Sequence, residues 1–204
     1  DFAPQILPNI LDPEMAAYAK KHLISAGIRV LTGTSAQEIL GTDQVTGVKT
    51  SAGTLPCELL IMAAGIRPNT DFLKDTGMEM FKGAILVDST MKTSLDDVYA
   101  AGDCVMVTNR ITGARQWSPM GSSANMEGRT LAQVLTGSQK TYPGVLGTGV
   151  VKLPGLNIGR TGLTEEDARE AGYDVVTVLA PMDDKAHYYP DAAYFITKLI
   201  ADRT

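Results

Sequence analysis

The sequence predicts an α/β fold followed by a small, separate α+β unit. Three observations lead to this prediction: a helix with start and stop signals at residues 12–27, a continuous apolar run at residues 59–64, and a change of pattern after residue 149. A short, continuous apolar run is typical of a parallel strand that is buried on both faces of its sheet. Helices that alternate with such strands define the α/β class.

The first helix is predicted to begin at Asp12-Pro13, because Asp is a good N-cap residue and Pro suits the first helical turn. Small or apolar residues then recur three or four positions apart, the spacing of one helix face, up to Gly27. A glycine at that point suits a left-handed C-cap. Residues 28–31 are predicted to form a strand, and residues 45–53 suggest a strand that ends in a hairpin turn.

The remaining elements divide at residues 138–149, a stretch rich in Gly, Ser, Thr and Pro that is predicted to be a linker. Before it, strands are predicted at residues 84–87 and 98–101, and a helix at residues 122–135. After it, a capping-box pattern at Thr164 starts a short helix. Strands are predicted on either side of that helix, at residues 150–153, 174–179 and 194–200. We expect the strand that pairs with the last of these to lie outside this sequence.

Charge and composition exclude several classes of protein. The chain of 204 residues has a net charge of −5 and no cluster of basic residues, so it does not suit nucleic acid or an anionic membrane. Its longest apolar stretch, residues 59–66, is far shorter than the roughly 20 residues that span a bilayer. Only two cysteines are present, which excludes a disulfide scaffold and indicates a cytoplasmic location. With only His22 and His187 available, no metal site is expected.

The strongest functional signal lies in residues 93–103, TSLDDVYAAGD, where the predicted strand at residues 98–101 runs directly into Gly102-Asp103. Ligands of open α/β sheets lie beyond the carboxyl ends of the strands. A glycine there lets the backbone approach a ligand closely, and a carboxylate accepts hydrogen bonds from sugar or polyol hydroxyls. Taken alone, Ala-Gly-Asp is also the sequence of an ordinary turn.

The whole eleven-residue pattern resembles the second FAD-binding segment of the FAD-dependent pyridine nucleotide-disulfide oxidoreductases. The resemblance implies that the Asp103 carboxylate binds the ribityl hydroxyls of FAD. It also implies that Ala101 and Gly102 line the same turn. Three further segments agree with this family in their order along the chain.

Two of these segments imply additional cofactor-binding residues. Residues 63–70, AAGIRPNT, resemble the segment where the family's chain returns from the NAD(P) domain to the FAD domain. Residues 118–129, SPMGSSANMEGR, resemble the start of a helix whose N-terminus faces the flavin ring. The implied cofactor-binding residues are Ala64, Gly65, Pro119, Met120 and Gly121. The alternatives are a Pro-Asn turn after a buried strand and a helix of small residues packed tightly on a neighbour.

The third segment, residues 142–204, resembles the dimerisation domain of the coenzyme A-disulfide reductase and NADH oxidase branch through GTGVVK, TGLT and HYYP. In that branch a tyrosine near this position reaches the active site of the partner subunit. The resemblance thus implies a homodimer and a catalytic role for Tyr188 or Tyr189; a Tyr-Tyr-Pro turn at the domain surface is the alternative. Cys104 is expected to be a small buried residue rather than a redox centre, and Cys57 to be inert.

The family's glycine-rich loops are not found in this sequence. No Gly-x-Gly-x-x-Gly pattern opens a strand-turn-helix unit, and Gly147-Thr148-Gly149 runs into a strand instead. The resemblance therefore implies that the chain corresponds to roughly the second half of such an enzyme, with its redox cysteine further upstream. The implied parts are the back half of an NAD(P)-binding domain, the C-terminal part of an FAD-binding domain and a truncated dimerisation domain, at residues 1–68, 69–140 and 141–204.

The function implied by the resemblance is that of a flavoprotein oxidoreductase. NAD(P)H would reduce FAD, and the electrons would pass to a thiol or disulfide acceptor, to coenzyme A disulfide, to polysulfide or to oxygen. A non-catalytic alternative stays open on the sequence alone. In that alternative the chain self-associates, binds no complete dinucleotide and does not oxidise NAD(P)H.

Overall fold

The computed structural model describes all residues from Asp1 to Thr204. It confirms the mixed α/β class, with three α-helices, one short 3-10 helix (Asp71–Leu73) and eleven strands. In chain order the elements are α1 (Pro13–Ser25), β1 (Ala36–Leu40), β2 (Gly47–Thr50), β3 (Gly53–Pro56), β4 (Met80–Phe81), β5 (Ala84–Leu86), β6 (Val105–Thr108), β7 (Arg115–Trp117), α2 (Gly121–Leu135), β8 (Gly149–Leu153), β9 (Leu156–Arg160), α3 (Glu165–Glu170), β10 (Val175–Asp183) and β11 (Tyr194–Asp202).

The chain forms two compact units. Unit 1 is made of two separate stretches, Asp1–Glu58 and Gly149–Thr204, and unit 2 is the continuous stretch Leu59–Thr148. The limits of a compact unit need not coincide with those of a family domain. The predicted domain boundaries after residues 68 and 140 therefore stay a prediction.

The first part of unit 1 holds α1 and an antiparallel sheet in the order β1-β2-β3. Helix α1 ends as predicted, with Gly27 at a φ of 85°. The predicted hairpin turn joins β2 and β3, which pair from Thr50 and Gly53 onward. The strand predicted at residues 28–31 is wrong. That stretch belongs to no sheet. The residues after it make isolated hydrogen bonds to the first residues of the chain, for example from the Thr34 amide to the Asp1 carbonyl at 2.8 Å.

The second part of unit 1 contains two antiparallel hairpins and α3. Strands β8 and β9 pair over Gly149–Leu153 and Leu156–Arg160, and β9 was not predicted from the sequence. The predicted capping box is present, with the Thr164 hydroxyl accepting the Asp167 amide at 3.1 Å. Strand β11 pairs with β10 along its whole length. A strand has two edges, so the expectation that a further strand outside this sequence pairs with residues 194–200 stays a prediction.

The two parts of unit 1 share an apolar core. Ala16 and Ala19 of α1 are buried with Leu11, and residues of the β8–β9 hairpin pack against them. Close by, the ammonium of Lys198 lies 3.1 Å from the Asp12 carboxylate and 2.7 Å from the Glu165 carboxylate, and it also pairs with Glu14. Lys198 and Asp12 are each only 7% exposed in their side chains. A buried cation thus joins α1, α3 and β11.

The expected capping role of Asp12 is corrected by this cluster. Asp12 stands at the N-cap position of α1, but its side chain makes no capping bond to that helix. Its Oδ1 atom instead accepts the backbone N–H of Glu165, the first residue of α3, at 2.9 Å. Because Lys198 attracts the other oxygen, the carboxylate is turned toward the later part of the chain.

Unit 2 is built on a sheet in the order β4-β5-β6-β7, in which only the β5–β6 pair is parallel. Its core contains Met91, Val105, Val107, Tyr142 and Val145. The last two belong to the stretch that was predicted to be a linker. That prediction is wrong up to Thr148, because the stretch packs into unit 2, and the Tyr142 amide donates to the Ser89 carbonyl at 2.7 Å.

Two predicted strands of unit 2 are also wrong. Residues 59–64 form no strand and are mostly exposed, with Leu59 at 76% and Ile61 at 80%. No other segment of this chain supplies them with a ladder of hydrogen bonds. Residues 98–101 form only an isolated bridge between Tyr99 and Lys92. Helix α2 and strand β5 match the prediction closely. No helix of the protein has the length and apolar character needed to cross a bilayer.

Candidate functional site

The turn formed by Ala101, Gly102 and Asp103 leads directly into β6. Gly102 has a φ of 95°, a conformation that glycine adopts easily and other residues rarely do. The Gly102 carbonyl accepts the Val105 amide at 3.1 Å, and the Asp103 carbonyl accepts the indole N–H of Trp117 at 2.7 Å. The backbone of the turn is therefore fixed, while the Asp103 side chain is exposed to solvent.

This geometry corrects one step of the sequence argument. Asp103 was expected to follow a strand at residues 98–101, whereas it precedes the strand β6 that begins at Val105. Position 102 still favours glycine, because this preference depends on the positive φ of the residue and not on the strand before it. A Cβ atom at this position would meet only the Cβ of Ala124, at 4.0 Å.

That contact shows that the turn lies against the first turns of α2. The N-cap residue of this helix is Met120, which makes no side-chain capping bond, and the first helical turn contains no acidic residue. Gly121 is exposed, and Pro119 is partly buried. Uncapped amides at a helix N-terminus favour negative charge and hydrogen-bond acceptors. The turn and the helix start, two of the predicted segments, are thus brought together.

Glu127 of α2 connects these two segments and was missed by the sequence reasoning. Its side chain is only 1% exposed, and its Oε2 atom accepts the Gly102 amide at 2.7 Å. The carboxylate also accepts a hydrogen bond from the Tyr142 hydroxyl, which in turn bonds to Ser123. The Ser123 and Ser118 hydroxyls are 3.0 Å apart. Ser123 and Glu127 are four residues apart on one helix face, which is the signal that could have indicated a polar network.

No cation is among the groups that act on the pKa of Glu127. Burial raises the pKa of the Glu127 carboxyl above its ordinary value of 4.5, and the nearby negative charge of Asp103 raises it further. The hydrogen bonds from Gly102 and Tyr142 oppose that rise. Burial likewise raises the pKa of the Cys104 thiol above 9.0, with Glu127 and Asp103 adding to the effect. Cys104 is therefore a poor source of thiolate at neutral pH.

The other predicted site residues are placed differently. Ala64 and Gly65 are exposed and lie in a stretch of unit 2 without regular structure, where Gly65 has a φ of 104°. Tyr188 and Tyr189 belong to unit 1, in the exposed loop between β10 and β11. Their rings lie 5.1 Å apart, and Tyr188 is 74% exposed. The roles implied for these four residues stay predictions.

Comparison with known families gives two matches that together cover most of the chain. Residues 1–125 match the family described as pyridine nucleotide-disulphide oxidoreductase. Residues 150–204 match the dimerisation domain of the same family. The second match begins within β8, the first element of the second part of unit 1.

Individual relatives agree with this assignment. The chain is 36% identical over 200 residues to an NADH oxidase of Methanocaldococcus jannaschii, a match that covers 98% of the chain and 45% of the relative. The fold of this chain superimposes with a TM-score of 0.93 on an NAD-dependent persulfide reductase from A. fulgidus. The two are 36% identical, and the match covers 99% of the chain and 38% of that protein.

A second similar structure is an FAD-dependent pyridine nucleotide-disulphide oxidoreductase from Desulfovibrio vulgaris. The TM-score is 0.81 and the identity 37%, covering 88% of the chain and 46% of that protein. The chain thus spans less than half the length of each of these relatives.

Proposed function

Because the chain belongs to the pyridine nucleotide-disulphide oxidoreductase family, we propose that it is part of a cytoplasmic flavoprotein that carries electrons from NAD(P)H through FAD to an acceptor. The observation that carries the proposal is the fixed turn at Gly102, which presents an exposed Asp103 carboxylate beside the uncapped start of α2. Two free cysteines agree with a reducing compartment.

The residues of this site suit the polyol end of FAD. The Asp103 carboxylate can accept hydrogen bonds from ribityl hydroxyls. Gly102 brings the backbone close without a side chain, and the amides at the start of α2 offer donors to the polar edge of the flavin ring. When bound, FAD supplies the redox chemistry; the residues of this chain bind and orient it.

The acceptor is proposed only as a class. Relatives are named an NADH oxidase and a persulfide reductase, so oxygen, polysulfide, coenzyme A disulfide and protein disulfides are the candidates. Cys104 is not proposed as the redox cysteine, because its raised pKa keeps the thiol protonated. An acceptor screen with NADH and with NADPH would choose among these classes.

The proposed role of Asp103 is tested by replacing its carboxylate. Asp103→Ala removes a charge-assisted hydrogen bond worth about 1.5–3 kcal/mol, so the affinity of the holoprotein for FAD should fall roughly tenfold to a hundredfold. Asp96→Ala is the matched control, because Asp96 is an exposed carboxylate of the same motif. An FAD dissociation constant that Asp103→Ala leaves unchanged would remove the basis of the proposal.

We also propose that the protein is a homodimer through residues 150–204, which match the family's dimerisation domain. One face of the β10–β11 pair supports this, because its apolar residues Val178, Phe195 and Leu199 are exposed. Sedimentation should show a dimer that dissociates when Val178 and Leu199 are both changed to Asp. A dimer of undiminished affinity in this variant would place the interface elsewhere.

The proposed catalytic tyrosine is tested separately. Tyr188→Phe and Tyr189→Phe each remove one hydroxyl from an exposed loop and should leave folding intact. If one of the hydroxyls serves the partner's active site, kcat should fall in that variant alone. Unchanged kcat in both would favour the alternative of a surface turn.

A further inference from the structure

Glu127 is a buried ionisable group that the proposed function does not use. Its carboxyl lies where three parts of unit 2 meet: helix α2, the turn at Gly102, and the stretch that carries Tyr142. The titratable groups that face it are Asp103 from the turn, Cys104 directly after the turn, and Tyr142 from that stretch. None of these groups carries a positive charge.

A buried carboxyl without a cation is costly, so its hydrogen bonds must be specific. The bond at 2.7 Å to the Gly102 amide joins Glu127 to the residue that directly precedes Asp103. Gly102 is also the point where the backbone has its positive φ of 95°. Any change in the strength of this bond therefore acts on the geometry with which Asp103 leaves the turn.

We propose that Glu127 is a positioning residue for FAD: by holding the Gly102 amide it fixes the turn that presents the Asp103 carboxylate to the cofactor. This inference rests on the proposed function, in which Asp103 binds FAD. Glu127 itself is only 1% exposed, so in this proposal it acts through the turn and not by contact with the cofactor. Tyr142 is the second hydrogen-bond partner of the Glu127 carboxyl.

The protonation of Glu127 is then linked to the turn. The neutral carboxyl is the weaker acceptor for the Gly102 amide, whereas the ionised one accepts more strongly but faces the negative charge of Asp103. Raising the pH through the pKa of Glu127 should change the conformation of the turn. Since burial and Asp103 raise this pKa above 4.5, the change should occur at a higher pH than for an exposed glutamate.

The only tryptophan of the protein reports on this turn directly. Trp117 donates its indole N–H to the Asp103 carbonyl at 2.7 Å, so its fluorescence can be titrated in the 204-residue chain without any cofactor. We expect a transition with a midpoint above pH 4.5 that Glu127→Gln abolishes and that Asp103→Asn retains. Glu79→Gln, which changes an exposed glutamate of unit 2, should retain it as well. A transition that is unchanged in Glu127→Gln would overturn the inference.

FAD affinity of the holoprotein gives the second readout. Glu127→Ala should weaken FAD binding about tenfold, and Glu127→Gln, which keeps an acceptor for Gly102, should restore it to within about twofold and make it independent of pH. If Asp103→Ala weakens FAD binding and Glu127→Ala does not, the inference fails while the proposed function stands. If Asp103→Ala has no effect, the proposed function fails, whatever Glu127 does. Should Glu127→Ala fail to fold, the pH profile of Glu127→Gln decides alone.

Discussion

Both units of this protein bury carboxyl groups, but they compensate for them in opposite ways. In unit 1, Asp12 is 7% exposed and lies 3.1 Å from the ammonium of Lys198, which also binds Glu14 and Glu165. In unit 2, Glu127 is 1% exposed and has only the Gly102 amide and the Tyr142 hydroxyl as partners. One unit compensates its buried carboxylate with a cation, whereas the other surrounds its carboxyl with hydrogen bonds and no cation, and burial raises the pKa of that carboxyl.

The two solutions suit different tasks. Ion pairs hold Glu14 and Glu165 in their charged forms, and the pKa of each carboxyl is lowered below 4.5 by its hydrogen bond to Lys198. The pKa of Lys198 is raised above 10.5 by the same three carboxylates, which outweigh the effect of its burial. Such a cluster of ion pairs joins distant parts of the chain. The Glu127 site, in contrast, can change protonation next to the proposed cofactor turn.

Removing the cation from unit 1 should give the largest effect. Lys198→Met leaves a buried Asp12 and two further carboxylates without compensation, so the free energy of unfolding of unit 1 should fall by about 3 kcal/mol. Urea unfolding followed by far-ultraviolet circular dichroism measures this loss. Lys152→Met is the control, since Lys152 is an exposed lysine of β8, and it should change stability by no more than about 0.5 kcal/mol. If the two variants lose the same amount, Lys198 does not compensate a buried charge.

A smaller loss of stability is expected in unit 2 when Gly102 is replaced, because this change leaves no buried charge without a partner. Gly102→Ala places a Cβ on a residue with a φ of 95°, at a cost of about 1–2 kcal/mol from backbone strain, although the space beside Ala124 is open. The Trp117 fluorescence signal should detect the loss during urea unfolding. Gly128→Ala, in the middle of α2 with open space around it, is the control and should be neutral or stabilising. Equal stability of both variants would mean that the turn adopts another conformation.

The smallest effect, because no contact is removed, is an opposite response to pH of two sites, the Lys198 cluster of unit 1 and the Glu127 site of unit 2. Glu14 and Glu165 have lowered pKa values, so their contribution is present above pH 4.5 and is lost as the pH falls through the folded-state values. Glu127 has a raised pKa, so its contribution is complete below pH 4.5 and is lost as the pH rises through the folded-state value. Amide hydrogen exchange, corrected for its intrinsic pH dependence, follows the Glu165 amide at the first site and the Gly102 amide at the second. A response of the same sign at both sites would contradict the comparison.

Local signals in the sequence predicted local structure well. Helix α1 ends before Gly27, the capping box opens α3, and α2 lies close to its predicted range, because each depends on residues within a few positions of one another. The glycine requirement at position 102 is of the same kind. The family resemblance was also carried by short contiguous motifs, and it is confirmed by the family matches.

Only the tertiary structure decided which residues are paired and buried. The apolar run at residues 59–64 was predicted to be a buried strand, but a strand exists only where a neighbouring segment completes its hydrogen bonds. Asp12 caps α3 rather than α1 because Lys198, far along the chain, turns its carboxylate. Glu127 reads in the sequence as an ordinary helical glutamate, and its burial follows from the packing of Gly102 and Tyr142 around it. Periodicity and capping are properties of neighbours in sequence, whereas burial and charge compensation depend on residues that only folding brings together.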